Sequence, residues 1–411
     1  MKISHNVLTD FLILIWIITI PFSHAPGIKH SVFTLSGIMT TIVICLYSLP
    51  AIYYSIKISK GGGKIRAISL PFIFFIFYLI LVFISTAGAN ELHDKFFNYG
   101  MAYVWLFLAF IVFSYKGLVN NISDFKIAKI LCVILCLTSL FSLIEYSFHF
   151  IHIDIGSYFV RPDRISYFYN HPVVGYRVRA FNYESANLAL LANVFFLSIV
   201  ILLRNYQGWI FKLSFISWMI ILFLAWSSAA LLISAPIFLY VIKISVIDRK
   251  SILSILTLFF CIILYFLLGY EININMDGFY LIYEKIIGYL GYSDKMISAN
   301  IRNNLFTLGW DSLSDNLFNG LGLAGFYFIS DTGLNNIYLM MGVQFGFMGF
   351  LILPIFFVCL MLYFLFKNDF CSSYLIFMVM FFLWFVGDFW IPQIFLVFFV
   401  VFNSINRKNY V

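Results

Sequence analysis

The stretch Leu70-PFIFFIFYLILVFIS-Thr86 decides what kind of molecule this is. It carries no charged side chain and approaches the roughly 20 residues that a helix needs to cross the hydrocarbon of a bilayer. Val7–Phe22 and Ser251–Tyr270 are runs of the same kind. Lipid offers backbone N–H and C=O groups no partner outside their own segment, so continuous Leu, Ile and Phe of this sort read as helix. A transmembrane barrel would show short strands of alternating polarity instead, and these runs do not alternate.

The whole composition agrees. Of the 411 residues, 63% are hydrophobic and only 10% are charged, whereas a water-soluble domain carries roughly 25% charged residues. A soluble enzyme is excluded. The first apolar run follows one lysine and precedes no small-residue cleavage pattern, so it is expected to be a retained helix and not a removed signal peptide. Cys45, Cys132, Cys136, Cys261, Cys359 and Cys371 all lie in apolar runs or at their edges. That placement points to small apolar filler, with neither a disulfide framework nor a zinc site.

The expected fold is therefore an all-α polytopic membrane protein with about twelve transmembrane helices, a single membrane domain over residues 1–411. The spans are expected at 7–23, 32–56, 68–86, 98–115, 127–150, 184–203, 209–226, 229–245, 251–270, 334–366, 372–387 and 389–404. The tenth is overlong at its start, and only Asp388 separates the last two. No internal repeat and no low-complexity linker stand out.

Orientation follows from the lysines and arginines. With a cytoplasmic N-terminus, 16 of the 25 fall in inner segments and nine in outer ones. Every short loop then obeys the positive-inside rule, which places both termini in the cytoplasm. The same bias accounts for the net charge of +7 without invoking nucleic acid as a partner.

Two outer segments stand apart and are expected to form a cap. Residues 151–183 carry Arg161, Arg164, Arg177 and Arg179 and no lysine, against the bias that sets topology. A guanidinium is planar, permanently charged and able to grip phosphate oxygens in a forked geometry. Four of them beside aromatic residues and a helix start make a candidate seat for an anionic headgroup, although contact with membrane lipid phosphates or with Asp154 and Asp163 would serve equally well. Residues 271–333 hold short amphipathic stretches near 279–290 and 301–317, expected to lie at the membrane surface.

Glu184 follows Asn182, a good N-cap, at the start of the sixth span. It is a candidate general base or acceptor-binding group, with a first-turn structural role as the alternative. Glu145 sits inside the fifth span, where a carboxylate is costly unless it faces protein or water, and is expected to support the arginine cluster. No metal spacing joins His149, His152 and His171. Arg302 opens the second amphipathic stretch and is a further candidate cation. Gly320, Gly322 and Gly325 permit a tight turn or a close backbone approach. They follow no strand of a βαβ unit, so a dinucleotide site is rejected.

At these regions the sequence resembles the bacterial O-antigen polymerases and O-antigen ligases, membrane glycosyltransferases of the GT-C type. The resemblance rests on Arg179-Ala-Phe-Asn-Tyr-Glu184 leading into a helix, on the late outer loop from Arg302 to Asn319-Gly320-x-Gly322, and on Asn335-Asn336-x9-Gly346-x2-Gly349. It covers most of the chain in outline. The ligases usually carry histidine where this chain has Asn335, which tilts the choice to polymerase. Ser227-Ser228-Ala229 lacks the arginine that the family commonly places after Ser, so no role is carried over to that turn.

What the resemblance implies is polymerisation of oligosaccharide repeat units carried on undecaprenyl pyrophosphate, at the periplasmic face of the bacterial inner membrane. It implies a metal-independent enzyme without a cofactor, surrounded by membrane lipid, working alone or with a chain-length regulator. Arg179 and Arg302 would act with Glu184 in catalysis. Arg161, Arg164, Arg177, Asn335 and Tyr338 would bind the pyrophosphate and substrate, and loop tyrosines such as Tyr158, Tyr167, Tyr169 and Tyr176 would stack on sugars. The alternatives are an O-antigen ligase, a capsule or exopolysaccharide polymerase and, in another class, a flippase for the same lipid-linked sugars. A flippase would more often show matched halves and intramembrane charges along a path. A non-catalytic length-control partner would have few spans and a long coiled region.

Overall fold

The structure is a computed structural model that describes residues 5–23, 34–60, 69–89, 93–118, 122–153, 155, 170–171, 175–182, 184–203, 208–225, 227–244, 297–330, 334, 336–385 and 391–408. Among these residues there are twelve α-helices: α1 (His5–Thr19), α2 (Leu35–Lys60), α3 (Leu70–Gly88), α4 (Phe96–Phe113), α5 (Asp124–His149), α6 (Ser185–Leu203), α7 (Trp209–Ala225), α8 (Ser228–Ile244), α9 (Ile297–Asp315), α10 (Ile337–Phe366), α11 (Phe370–Phe385) and α12 (Pro392–Lys408). A two-residue antiparallel ladder, β1 (Asn170–His171) with β2 (Gly175–Tyr176), is the exception to helix. Six helices, α2, α3, α4, α5, α6 and α10, are long and apolar enough to cross a membrane. The described residues are thus helical apart from that ladder, as in a multi-pass membrane protein. Each expected span falls on a helix except 251–270, which lies outside the described residues, as does the amphipathic stretch near 279–290. The other amphipathic stretch, expected at 301–317, is α9.

Helix α6 is the centre of the bundle, with 94% of its most apolar window buried inside the protein. Lipid tails are as apolar as leucine, so packing and polar contacts decide which helix goes inside. Asn193 of α6 supplies such a contact twice: its Oδ1 accepts from Trp218 Nε1 of α7 at 2.7 Å, and its Nδ2 donates to Ala230 O of α8 at 3.3 Å. Aromatic rings fill a second junction, of α1, α4, α10 and α12. Phe110 stacks on Phe398 at 4.3 Å, Trp16 on Phe113 at 4.4 Å, and Phe356 on Phe398 at 5.8 Å.

Helix α10 is two helices in one. At about 1.5 Å per residue, its 30 residues would span about 45 Å, beyond the roughly 30 Å of a hydrocarbon core. Gly346 breaks it with φ 71° and ψ −166°. A chain that leaves helical geometry among apolar neighbours strands its peptide groups, and the segment after α9 takes them up. Leu321 N donates to Val343 O at 2.8 Å, Gly322 N to Gln344 O at 3.0 Å, and Phe347 N to Leu317 O at 2.8 Å. The Gln344 side chain adds two more bonds, accepting from Ala324 N at 3.2 Å and donating to the Tyr103 hydroxyl at 3.1 Å. Ser85 of α3 donates to Gln344 O at 2.6 Å. This junction is where the expected close approach of the glycine loop occurs: a Cβ on Gly346 would lie 2.6 Å from Leu317 O, and one on Gly320 would meet the backbone of Gln344.

Candidate functional site

Of the residues expected to carry chemistry, Arg177, Arg179 and Glu184 lie at the end of the bundle where α5 and α7 finish and α6 begins. The organising group is Glu145, one turn before the end of α5 and fully buried. Its Oε1 accepts from the Tyr176 hydroxyl at 2.7 Å and from Arg179 N at 3.3 Å. Its Oε2 accepts from Ala180 N at 2.7 Å. Ala180 is held at φ 50°, the left-handed region that a residue with a Cβ rarely adopts. Successive N–H groups in a turn of this kind converge on an anion, and here the anion is a side chain of the protein itself. The Tyr176 ring lies flat on His149, 4.0 Å between centroids and 12° between planes. The expected support of the arginine cluster by Glu145 thus has a defined form: the carboxylate fixes the backbone of 176–180.

The segment is tied on its other side as well. Val178 N donates to Leu224 O of α7 at 3.2 Å. Arg177 is half-buried; its Nε donates to Ala225 O at 3.3 Å and its Nη2 to Ser185 Oγ at 2.5 Å. Arg177 therefore spans the last residue of α7 and the first of α6. Arg179 goes deeper, 2% exposed, and its charge acts on Glu145. Phe181 is stacked on Phe141 of α5 at 4.3 Å and packs on Phe22 at 4.8 Å, which brings in the residues that follow α1.

Glu184 stands at the very start of α6, part-exposed, with its carbonyl accepting from Asn187 N at 3.1 Å and Leu188 N at 3.2 Å. The first-turn position read from the sequence is thus refined: Glu184 itself occupies the capping position. Asn182, expected to be the N-cap, does not cap. It is fully buried, and neither Oδ1 nor Nδ2 has a hydrogen-bond partner. A cap must reach the N–H groups two or three positions on, whereas Asn182 N is drawn back onto Arg179 O at 2.9 Å, one turn too early for that reach.

Of the second group of expected residues, Asn336 and Tyr338 lie at the start of α10. Asn336 caps this helix, its Oδ1 accepting from Leu339 N at 3.0 Å while its Nδ2 has no partner. Tyr338 is 1% exposed, and its hydroxyl donates to Met380 O of α11 at 2.6 Å. Arg302 lies in the second turn of α9, with its side chain outside the described residues; Arg161, Arg164 and Asn335 lie outside them altogether, as do Tyr158, Tyr167 and Tyr169. Arg177, Arg179 and Glu184 are therefore held on one segment whose backbone Glu145 fixes, while Tyr338 lies in the first turn of α10 with its hydroxyl taken by Met380 O, which does not fit the substrate-binding role expected of it. Ser185, which receives Arg177, and the unpartnered amide of Asn182 were not singled out as site residues in the sequence. Serine at a helix start carries no signal of its own, and Asn182 reads locally as a cap. Among the described residues no group of three or more His, Cys, Asp or Glu side chains has the arrangement to hold a metal ion.

No protein-family model matches this sequence, and no curated protein matches it.

Proposed function

We propose that the chain is an O-antigen polymerase, a GT-C-like glycosyltransferase of about twelve spans that joins undecaprenyl-pyrophosphate-linked repeat units at the periplasmic face of the inner membrane, with both termini cytoplasmic. The observation that carries this reading is the Arg177–Glu184 segment, which sets two guanidinium groups and a carboxylate at the start of α6 upon a buried glutamate. A fixed cationic corner at a helix N-terminus suits a pyrophosphate, which the helix's free N–H groups also favour.

The chemistry needs little more. The acceptor hydroxyl oxygen attacks the anomeric carbon of the donor, the new C–O bond forms, and the bond to the pyrophosphate oxygen breaks with its electron pair. Arginines stabilise the negative charge that develops on the departing pyrophosphate. Arg177, half-buried and at the bundle end, is the nearer of the two described cations to solvent; Arg179 backs it, and Arg161, Arg164 and Arg302 are proposed to add to the charge. Glu184, part-exposed, takes the proton of the attacking hydroxyl, and Asn335 positions the acceptor side; Tyr338, buried with its hydroxyl on Met380 O, is left a structural role. Such placement of two reactants contributes much of the acceleration without a metal. Glu145 argues against the flippase reading: this intramembrane carboxylate is fully engaged by Tyr176, Arg179 and Ala180, whereas a carrier keeps such groups along its path. Asn335 in place of histidine favours polymerase over ligase.

The test is deletion of the gene followed by gel separation of extracted lipopolysaccharide. Loss of the ladder with retention of core plus one repeat unit supports polymerase. Loss of the single unit too moves the assignment to ligase or flippase, and an unchanged ladder refutes it.

A further inference from the structure

A buried amide with no partner is an unusual thing for a folded protein to keep, because each such group forfeits the hydrogen bonds it had in water. Asn182 forfeits both of its side-chain atoms at once, at full burial. It sits between Arg179, whose backbone it touches, and Glu184, the first residue to cap α6. A second buried amide is connected to the neighbouring Phe181 through a chain of contacts. Phe181 packs on Phe22; Ser23, the next residue, accepts from Gln393 Nε2 at 3.3 Å, and Gln393 Oε1 is left without a partner. Gln393 is thus linked, through Ser23, Phe22 and Phe181, to the segment that carries Asn182.

The chemistry of the unpaired atoms narrows what completes them. A pyrophosphate at neutral pH offers acceptors almost exclusively, so it can receive Asn182 Nδ2 but can give nothing to Asn182 Oδ1 or Gln393 Oε1. A hydroxyl donates and accepts at one atom, and an acetamido group does so at two. We infer that Asn182 forms a subsite that reads a hydroxyl or acetamido group of the sugar attached to the lipid pyrophosphate, distinct from the guanidinium groups that hold the phosphates. This rests on the polymerase reading and extends it, from the charged part of the substrate to its neutral part. A site built of polar groups that only the right ligand satisfies discriminates strongly, because the wrong ligand leaves those groups bare.

The experiment measures equilibrium binding to the full chain in lipid nanodiscs, using undecaprenyl pyrophosphate with and without its oligosaccharide. Wild type binds the sugar-bearing lipid more tightly. Asn182→Leu, close in shape and unable to hydrogen-bond, weakens binding of the sugar-bearing lipid by about tenfold, roughly the net worth of one hydrogen bond, and leaves the sugar-free lipid unchanged. Equal weakening of both lipids, or of neither, overturns the subsite and leaves ordered water as what completes Asn182. Wild type that binds the two lipids equally overturns the subsite while the phosphate site stands; wild type that binds neither overturns the polymerase reading as well. The thermal midpoint of each variant in detergent checks folding, and Asn182→Ala makes the same comparison should the leucine variant not fold.

Discussion

Replacing Glu145 tests the architecture of the site most directly. In Glu145→Leu the two backbone donors, Arg179 N and Ala180 N, lose the oxygens that lie 3.3 and 2.7 Å away, and the Tyr176 hydroxyl loses its acceptor at 2.7 Å. The hydroxyl can turn to find another acceptor; the two peptide groups cannot. Each buried donor left unpaired costs about 1–3 kcal/mol, and the arginine deprived of a buried counter-charge adds to this, as removal of one partner of a buried pair does. Allowing for relaxation of the segment, the loss is about 2–5 kcal/mol. Glu145→Gln separates the contributions. Its single carbonyl oxygen can still serve Tyr176 and Arg179 N, while its amide group is set against Ala180 N, so about half of the loss is expected. The assay is the thermal midpoint of purified protein in detergent, read together with chain synthesis in cells. A leucine variant as stable as wild type would mean that the carboxylate does not hold this segment, and the account of the site would fail.

Other outcomes follow from the same contacts. Arg177→Lys is expected to lose most of the function that Arg177→Ala loses, because an ammonium cannot span Ala225 O and Ser185 Oγ as the guanidinium does; lysine restoring wild-type polysaccharide would refute a bridging role. Gly346→Ala is expected to destabilise the protein by about 1–3 kcal/mol, because φ 71° with ψ −166° is a backbone region that residues with a Cβ scarcely adopt, with the approach of Leu317 O adding to that. Gly100→Ala, whose new methyl would meet only Leu323 at 3.4 Å, is the mild comparison in the same melting assay. Asn193→Leu strands the indole N–H of Trp218 and should cost about 1–3 kcal/mol; an unchanged melting midpoint would show that α6 is held by packing alone. A cysteine at Ser314, on an exposed face of α9, should react with a membrane-impermeant thiol reagent from the periplasmic side, and one at Asn368, between α10 and α11, only after the cells are opened.

The helices were legible because crossing lipid imposes a demand that each segment must meet alone: a long apolar run has to satisfy its own backbone. What joins distant segments was far less so. Glu145 could be read as costly and therefore engaged, but nothing local says that it takes the N–H groups of residues 34 and 35 positions on. The break at Gly346 is hidden within Phe345-Gly346-Phe347, which continues an apolar run; only the excess length of α10 hinted at it. Asn182 misled because its local setting, just ahead of a helix, is that of a cap, and the turn that draws its N–H onto Arg179 is set by Glu145 on another helix.

On its own side the glycine loop joins α10 through peptide groups: Leu321, Gly322 and Ala324 give their N–H groups and Leu317 its carbonyl. Such a splice is indifferent to which side chains the loop carries, provided glycine remains where a Cβ cannot fit. It is intolerant of length. A single residue added or removed between Leu317 and Gly322 would shift every donor off its acceptor, so this stretch can drift in composition while its spacing stays fixed.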